Sequence, residues 1–232
     1  MLPRQFYSLL QKINEHTPHG TPVSEVYMLH EVYADGETPR DSGCAVSLGR
    51  FIAWLDSLDT ARVTVPEHLS KQGSILLTFD DIFASAYRWA LPQLRERGLP
   101  YTVFIATGFL GRQDHISQQD LCALANDPLC TIGAHTVHHS ALRLQKGIAV
   151  HQELMDSKSY LEDTISREVS DFAFPYGSVY ACSRSNIAQV SVCGFRRGFS
   201  TLNRSVTAAD LHAPWFLPRR NISDSVLQRK GF

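Results

Sequence analysis

Two adjacent aspartates follow a run of apolar residues in the segment SILLTFDD, which covers residues 74–81. Carboxylates are costly to keep beside a buried strand, so Asp80 and Asp81 need a partner or a task there. A single aspartate at such a place is typical of a cap on the following helix. Two in succession point in different directions, so one carboxylate can bind a cation while the other accepts a proton from water.

A histidine pair occurs in the segment IGAHTVHHSAL, residues 132–142, where His135 and His139 are separated by three residues. In a helical turn this spacing places both imidazoles on one face, close enough to share a metal ion. Such pairs also occur by chance on surface helices, and it is the neighbouring aspartate pair that favours metal binding. Two histidines and one carboxylate suit Zn²⁺ and leave a coordination position for water or a substrate oxygen. We expect His138 to point away as a surface residue.

The segment FAFPYGS, residues 172–178, ends an apolar run in a turn. Pro175 fixes the backbone and Gly177 permits a tight turn, so the N–H of Tyr176 could face a pocket as an oxyanion donor. Taken alone, the segment also fits an ordinary turn with a packed tyrosine.

These segments lie in an alternation of strand and helix patterns. Catalytic side chains in such architectures collect at the carboxyl ends of the strands. Residues 33–46 are predicted to form a loop, residues 1–22 a helical extension, and residues 23–232 one domain. The predicted strands cover residues 25–32, 74–79, 101–107, 130–135 and 169–177, and the predicted helices cover 47–58, 85–97, 117–125 and 147–166.

Composition narrows the classes of partner. The chain has 232 residues and a formal net charge of −1 without a long Lys/Arg run, which gives no electrostatic footprint for nucleic acid or an anionic membrane surface. There is no membrane span and no signal-peptide pattern, and the odd set of cysteines favours reduced, mostly buried thiols. We therefore expect a cytoplasmic protein, with an exported location as the alternative if a leader has been removed. Nothing in the sequence bears on oligomeric state. The cysteines are Cys44, Cys122, Cys130, Cys182 and Cys193.

The motifs TFDD, HTVHH and FPYG, in that order, resemble those of the NodB-homology polysaccharide deacetylases, carbohydrate esterase family 4. The segments over residues 90–111 and 153–163 are also similar to the connecting elements of that family, and the resemblance covers roughly residues 23–222. It implies an α/β fold, a distorted (β/α) barrel of about seven strands. The implied substrate is an N-acetylated carbohydrate: a polysaccharide, an oligosaccharide or a sugar precursor.

The resemblance also implies roles for the residues at the three motifs. Asp81, His135 and His139 would hold a divalent metal, Zn²⁺ in the first place, with Co²⁺, Ni²⁺ or Mn²⁺ as alternatives. Asp80 would be the general base, and the backbone amide of Tyr176 would stabilise the oxyanion of a tetrahedral intermediate. Pro175 and Tyr176 would also line the substrate pocket.

Three departures from the family pattern bear on catalysis. Ile82 stands where glycine commonly follows the aspartate pair, and Phe174 stands where an arginine often steadies the base. The usual late Leu-x-His segment is not recognisable. His212 in ADLHAPW is a candidate general acid, but it lies in a predicted loop, and we expect little effect from its removal. His30, at the end of VYMLH, resembles the YH that opens many family members and is expected to face the substrate pocket, with a packed core or surface histidine as the alternative.

Three functions follow as hypotheses. The first is metal-dependent N-deacetylation of an amino sugar. The second is hydrolysis of another small amide on the same scaffold, because the fold does not fix the substrate. The third is carbohydrate binding with weakened catalysis, which Ile82 and the missing acid would favour and an intact metal triad opposes.

Overall fold

The computed structural model describes residues 21–69 and 73–232. Apart from its last two residues, the predicted helical extension over residues 1–22 lies outside them, so that extension and the domain boundary stay predictions. No helix among the described residues is long and apolar enough to cross a bilayer.

Strands and helices alternate along most of the chain. The strands are β1 (Pro22–Leu29), β2 (Glu31–Tyr33), β3 (Ala45–Ser47), β4 (Ile75–Asp80), β5 (Tyr101–Ile105), β6 (Cys130–Ala134), β7 (Asp171–Ala173), β8 (Arg197–Phe199), β9 (Val206–Thr207) and β10 (Arg220–Asn221). The α-helices are α1 (Leu48–Asp56), α2 (Ala84–Glu96), α3 (Gln118–Ala125), α4 (Ile148–Ile165), α5 (Arg184–Val192), α6 (Ala208–His212) and α7 (Asp224–Arg229).

Seven parallel strands form the main sheet, in the order β10-β1-β4-β5-β6-β7-β8, with β9 added antiparallel to β1. The segment over residues 217–221 brings the two edges of this sheet together. Leu217 pairs with Phe199 of β8, and Arg220 pairs with Tyr27 of β1. The predicted distorted barrel of about seven strands is therefore confirmed.

The barrel has two apolar cores because successive side chains of a strand point to opposite faces. All six residues of β4 are buried, as in a parallel strand covered on both faces. Ile75, Leu77 and Phe79 belong to the large core shared with the helices. Leu76 belongs to the interior core. Asp80 lies an even number of residues further along the strand and therefore points to the same face of the sheet. The interior core comprises Val26, Leu76, Phe104, Ala173, Phe199, Val206 and Leu217.

Most predicted elements are present, with local corrections. The strand predicted over residues 25–32 is divided at His30 into β1 and β2, and the predicted loop over residues 33–46 ends in β3. His212 is the last residue of the short helix α6, where a loop was predicted. All five cysteines are free, and Cys130, Cys182 and Cys193 are buried.

Candidate metal and catalytic site

The three motifs meet at the carboxyl ends of neighbouring strands. Asp80 is the last residue of β4, and His135 directly follows β6. His30 directly follows β1, and Pro175 and Tyr176 lie just beyond β7. Because β1, β4, β5, β6 and β7 are parallel neighbours, their ends deliver these residues to one mouth of the barrel.

The turn after β4 has an uncommon backbone. Asp81 and Ile82 both have left-handed conformations, with φ of 62° and 40°. A β-branched residue is strained there, by about 1–3 kcal/mol. The Ile82 side chain is 1% exposed and packs in the core beneath the helices, which helps to hold the turn in place. The chain thus keeps a left-handed turn at this position without the glycine common in the family.

Asp81, His135 and His139 form a cluster that could hold a metal ion. One potential ligand atom from each residue lies within 4.8 Å of the others. Asp81 Oδ1 is 3.7 Å from His135 Nε2 and 3.4 Å from His139 Nε2. This oxygen is buried, and no described residue forms a hydrogen bond with it. A buried, unsatisfied carboxylate oxygen beside two imidazole nitrogens is a donor set that fits a divalent metal.

Both imidazoles are in the neutral form that binds metals. The Nδ1–H of His135 donates to the carbonyl of Ala173 at 2.7 Å, which leaves the lone pair on Nε2, facing Asp81. Burial lowers the pKa of His135 to about 3 and also lowers the pKa of His139. The contacts with Asp81 are therefore contacts of neutral rings rather than ion pairs.

Asp80 forms a buried bidentate ion pair with Arg219. Its Oδ1 accepts from Nη1 at 2.7 Å and its Oδ2 accepts from Nη2 at 2.6 Å, with both residues almost fully buried. Burial by itself would raise the pKa of Asp80, but the Arg219 charge and its hydrogen bonds outweigh it and hold this pKa far below its usual range. Asp80 is therefore ionised at neutral pH.

Arg219 is the functional residue that the sequence analysis missed. Phe174 does stand where an arginine was sought, and it is a buried core residue that packs against Phe172 and Phe216. The arginine beside Asp80 is instead Arg219, which reaches the carboxylate from the segment that joins the sheet edges. The only sequence signal was LPRR, a basic pair in a late apolar segment.

Tyr176 lies at the rim of the site in a left-handed conformation, with φ of 59°. Its ring centroid is 4.8 Å from that of His139, and its carbonyl accepts from Thr201 Oγ1 at 2.9 Å. The Tyr176 N–H makes no hydrogen bond to the described part of the chain. Gly177 is required, since a Cβ there would lie 2.5 Å from the Thr201 backbone nitrogen. Pro175 is buried just before the turn.

The other predicted histidines lie in different places. His30 Nε2 is 4.0 Å from Asp80 Oδ2, and its buried Nδ1 has no hydrogen-bond partner among the described residues. His212 is exposed on α6, which follows the pairing of Thr207 with Pro22 at the start of β1. That is the opposite end of the sheet from Asp80, so the structure does not bring His212 into the cluster.

His138 is largely exposed, as expected, but its Nδ1 contacts Glu153.

The ion pair predicts a strong coupling between Asp80 and Arg219. Arg219→Met should lower the free energy of unfolding of the metal-free protein by about 3–5 kcal/mol, because it leaves a carboxylate buried without a countercharge. Asp80→Asn in the same chain should recover part of that loss. Urea unfolding at neutral pH measures the free energy of unfolding of both variants. Arg196→Met, which breaks the exposed ion pair with Glu168, is the control and should have a far smaller effect. Additive losses would contradict the coupling.

Metal affinity should fall in acid. Burial is the largest influence on Asp81 and raises its pKa to about 6 in the metal-free protein, against the lowering influence of His30. A metal must displace this proton below pH 6, so apparent affinity should drop about tenfold per pH unit there and level off above it. Competition with a chromophoric chelator at each pH measures the apparent metal affinity. Affinity that is constant between pH 7 and pH 5 would contradict the raised pKa of Asp81.

Comparison with known proteins identifies the family of this chain. A family model described as polysaccharide deacetylase matches residues 69–196. A poly-β-1,6-N-acetyl-D-glucosamine N-deacetylase of Staphylococcus aureus is 27% identical over 197 residues, which cover 76% of this chain and 66%, slightly under two thirds, of that relative.

Two solved structures share the fold. The Streptococcus pyogenes deacetylase PplD in complex with acetate has a TM-score of 0.74 at 20% identity, over 90% of this chain and 98% of that one. IcaB from Ammonifex degensii has a TM-score of 0.72 at 22% identity, over 90% and 96% of the two chains. The family model covers more than half of the sequence, and the fold is that of deacetylases of known structure. The chain belongs to the polysaccharide deacetylase family.

Proposed function

We propose that this protein is a metal-dependent hydrolase that removes N-acetyl groups from an amino-sugar-containing polysaccharide, oligosaccharide or sugar precursor. The observation that carries the proposal is the pairing of two carboxylates in different electrostatic states. Asp80 is ionised by its ion pair with Arg219, and Asp81 is buried and unsatisfied between two neutral histidines. Two carboxylates in such different electrostatic states can serve separate roles, one in proton transfer and the other in metal binding.

The metal would be held by Asp81, His135 and His139. With two nitrogen ligands and one oxygen ligand, Zn²⁺ is the expected ion, and when bound it would polarise the acetyl carbonyl and acidify a water molecule. Co²⁺, Ni²⁺ and Mn²⁺ are alternatives with similar ligand preferences.

Asp80 would act as the general base. Its lowered pKa keeps the carboxylate unprotonated, so that it can accept a proton from water that a bound metal would acidify. The bidentate contact with Arg219 fixes the orientation of the carboxylate and leaves the remaining lone pairs of its oxygens to accept a hydrogen bond. Arg219 is thus a positioning residue for the base.

The amide of Tyr176 would stabilise the negative charge that develops on the acetyl oxygen. The left-handed backbone and the bond from Thr201 Oγ1 to the Tyr176 carbonyl hold this turn, and the N–H keeps no partner among the described residues. A donor fixed in advance costs no reorganisation during the reaction. The Tyr176 ring is 60% exposed at the rim and offers a face on which a sugar ring can stack.

His30 is the better candidate for the general acid. Its Nε2 lies 4.0 Å from Asp80, whereas His212 is at the far end of the sheet. The imidazole is partly exposed, at 17%, so it can meet a leaving amine at the mouth of the barrel. Proton donation to that amine would complete amide cleavage.

The comparisons support the choice of substrate class. The matched relative from Staphylococcus aureus is named for a β-1,6-linked N-acetylglucosamine polymer, and the PplD structure contains acetate, the second product of such a reaction. The alternative of carbohydrate binding without catalysis fits less well, because the base keeps an arginine partner. The cytoplasmic location inferred from the sequence stays a prediction.

The proposal is tested with β-1,6-linked N-acetylglucosamine oligomers. Protein loaded with Zn²⁺ should release acetate, with loss of acetyl groups detected by mass spectrometry. Asp80→Asn should bind about the same amount of metal but lose about a hundredfold or more in rate, because a carboxamide cannot accept the water proton. The variant His135→Ala/His139→Ala should lose both metal and activity.

Several outcomes would contradict this assignment. Full metal stoichiometry in the double histidine variant would place the ion elsewhere. Loss of metal in Asp80→Asn would place Asp80 among the ligands. Absence of acetate release from these oligomers, from chitooligosaccharides and from monomeric N-acetylated sugars, with metal bound, would favour hydrolysis of another small amide.

The acid is tested by comparing two histidine variants. His30→Gln should lower turnover by about a hundredfold, since the leaving amine would lose its proton donor. His212→Ala should change turnover by no more than a few-fold, because its helix lies at the other end of β1. The reverse pattern, at unchanged metal content, would restore His212 as the acid.

A further inference from the structure

The loop that carries the ligand His139 is held in an unfavourable backbone conformation. Thr136 and His139 both have left-handed conformations, with φ of 65° and 53°. Neither is glycine, so each conformation costs free energy and persists only where surrounding contacts fix it. The contacts that fix this loop therefore matter for the position of His139.

One side of the loop is fixed through its carbonyl groups. The Thr136 carbonyl accepts from Thr107 N–H at 3.1 Å, and the Val137 carbonyl accepts from Gly108 N–H at 2.9 Å. The approach is close enough that a Cβ at Gly108 would lie 2.7 Å from the Val137 oxygen. The two hydrogen bonds therefore fix the loop against residues 107–108, just beyond β5.

The other side of the loop is fixed by one carboxylate. Glu153 Oε2 accepts from the N–H groups of Val137 at 2.9 Å and His138 at 3.0 Å. Glu153 Oε1 is 2.7 Å from His138 Nδ1. Glu153 is only 9% exposed and lies on the 18-residue helix α4, whose Leu154 is fully buried. A carboxylate on a well-packed helix therefore satisfies both amide groups that precede His139.

From these contacts we infer that Glu153 is a positioning residue for the metal site, which sets the place of His139 by holding the loop over residues 136–139. It touches neither the metal ligands' side chains nor the reacting atoms, and acts only through the backbone and His138. The inference rests on the proposed metal site. Groups that orient metal ligands in this way typically change metal affinity about 10- to 100-fold when they are removed.

Two substitutions at Glu153 separate its contributions. Glu153→Met keeps the length and helix propensity of the side chain but accepts no hydrogen bond, and it should weaken Zn²⁺ binding about 10- to 100-fold. Glu153→Gln keeps one neutral acceptor oxygen and should weaken Zn²⁺ binding about three- to tenfold, because charge-assisted bonds are the stronger ones. Chelator competition on the metal-free proteins measures these affinities.

Glu162→Ala is the matched control. Glu162 lies on the same helix, and its Oε1 also accepts a hydrogen bond from a backbone N–H, that of Val169 at 2.9 Å. Within the described part of the chain, no hydrogen bond joins it to the loop over residues 136–139. This variant should bind Zn²⁺ as the wild type does. The visible spectrum of the Co²⁺-loaded proteins adds a readout of ligand geometry, which should change in the Glu153 variants and not in Glu162→Ala.

The outcomes separate this inference from the proposed function. Wild-type protein that binds no metal would overturn the proposed function. Wild-type binding with unchanged affinity and Co²⁺ spectrum in both Glu153 variants would overturn only the role of Glu153, as would an equal loss in Glu162→Ala. Circular dichroism verifies the fold of each variant, and if Glu153→Met does not fold, Glu153→Gln decides by the same criterion.

Discussion

The buried ion pair between Asp80 and Arg219 is the constraint on which the site depends. A guanidinium that is fully buried needs a partner, and Asp80 supplies both of its oxygens from the end of β4. Arg219 belongs to the segment that joins the two edges of the sheet, and its Nε also donates to the Ser200 carbonyl beyond β8 at 2.8 Å. One interaction therefore ties the closure of the barrel to the charge of the proposed base. A change in either residue is expected to affect both stability and chemistry.

Backbone strain is concentrated around the same site. Six non-glycine residues among those described have a left-handed φ, and five of them lie in the three loops that form the site. They are Asp81, Ile82, Thr136, His139 and Tyr176. Each costs about 1–3 kcal/mol, and packing or hydrogen bonds at each loop hold it. Ile82 is held by the core, Thr136 and His139 by the carbonyl contacts and Glu153, and Tyr176 by Thr201. The contacts that hold these strained residues fix the side chains of the candidate site before a substrate binds.

Much of the architecture could be predicted because it depends on local patterns. The buried run of β4 and the helical spacing of α2 follow from the periodicity of apolar residues. The alternation of strands and helices predicts parallel strands, whose carboxyl ends lie at the same edge of the sheet. The errors were also local. His30 interrupts a strand that the apolar pattern makes continuous, and capping contacts around Thr207 and Asp210 start a short helix where a loop was predicted.

The sequence by itself determined which residue types stand at the strand ends: the aspartate pair after β4, the histidine pair after β6 and the Pro-Tyr-Gly turn after β7. Short-range geometry suffices for this, since each motif lies within a few residues of its strand. Only the tertiary structure decided what these residues contact. Arg219 is 139 positions from Asp80, and His30 reaches the same carboxylate from a different strand, while His212 is carried away to the amino end of β1. Such pairings depend on how the sheet closes on itself, a long-range property that no local spacing encodes.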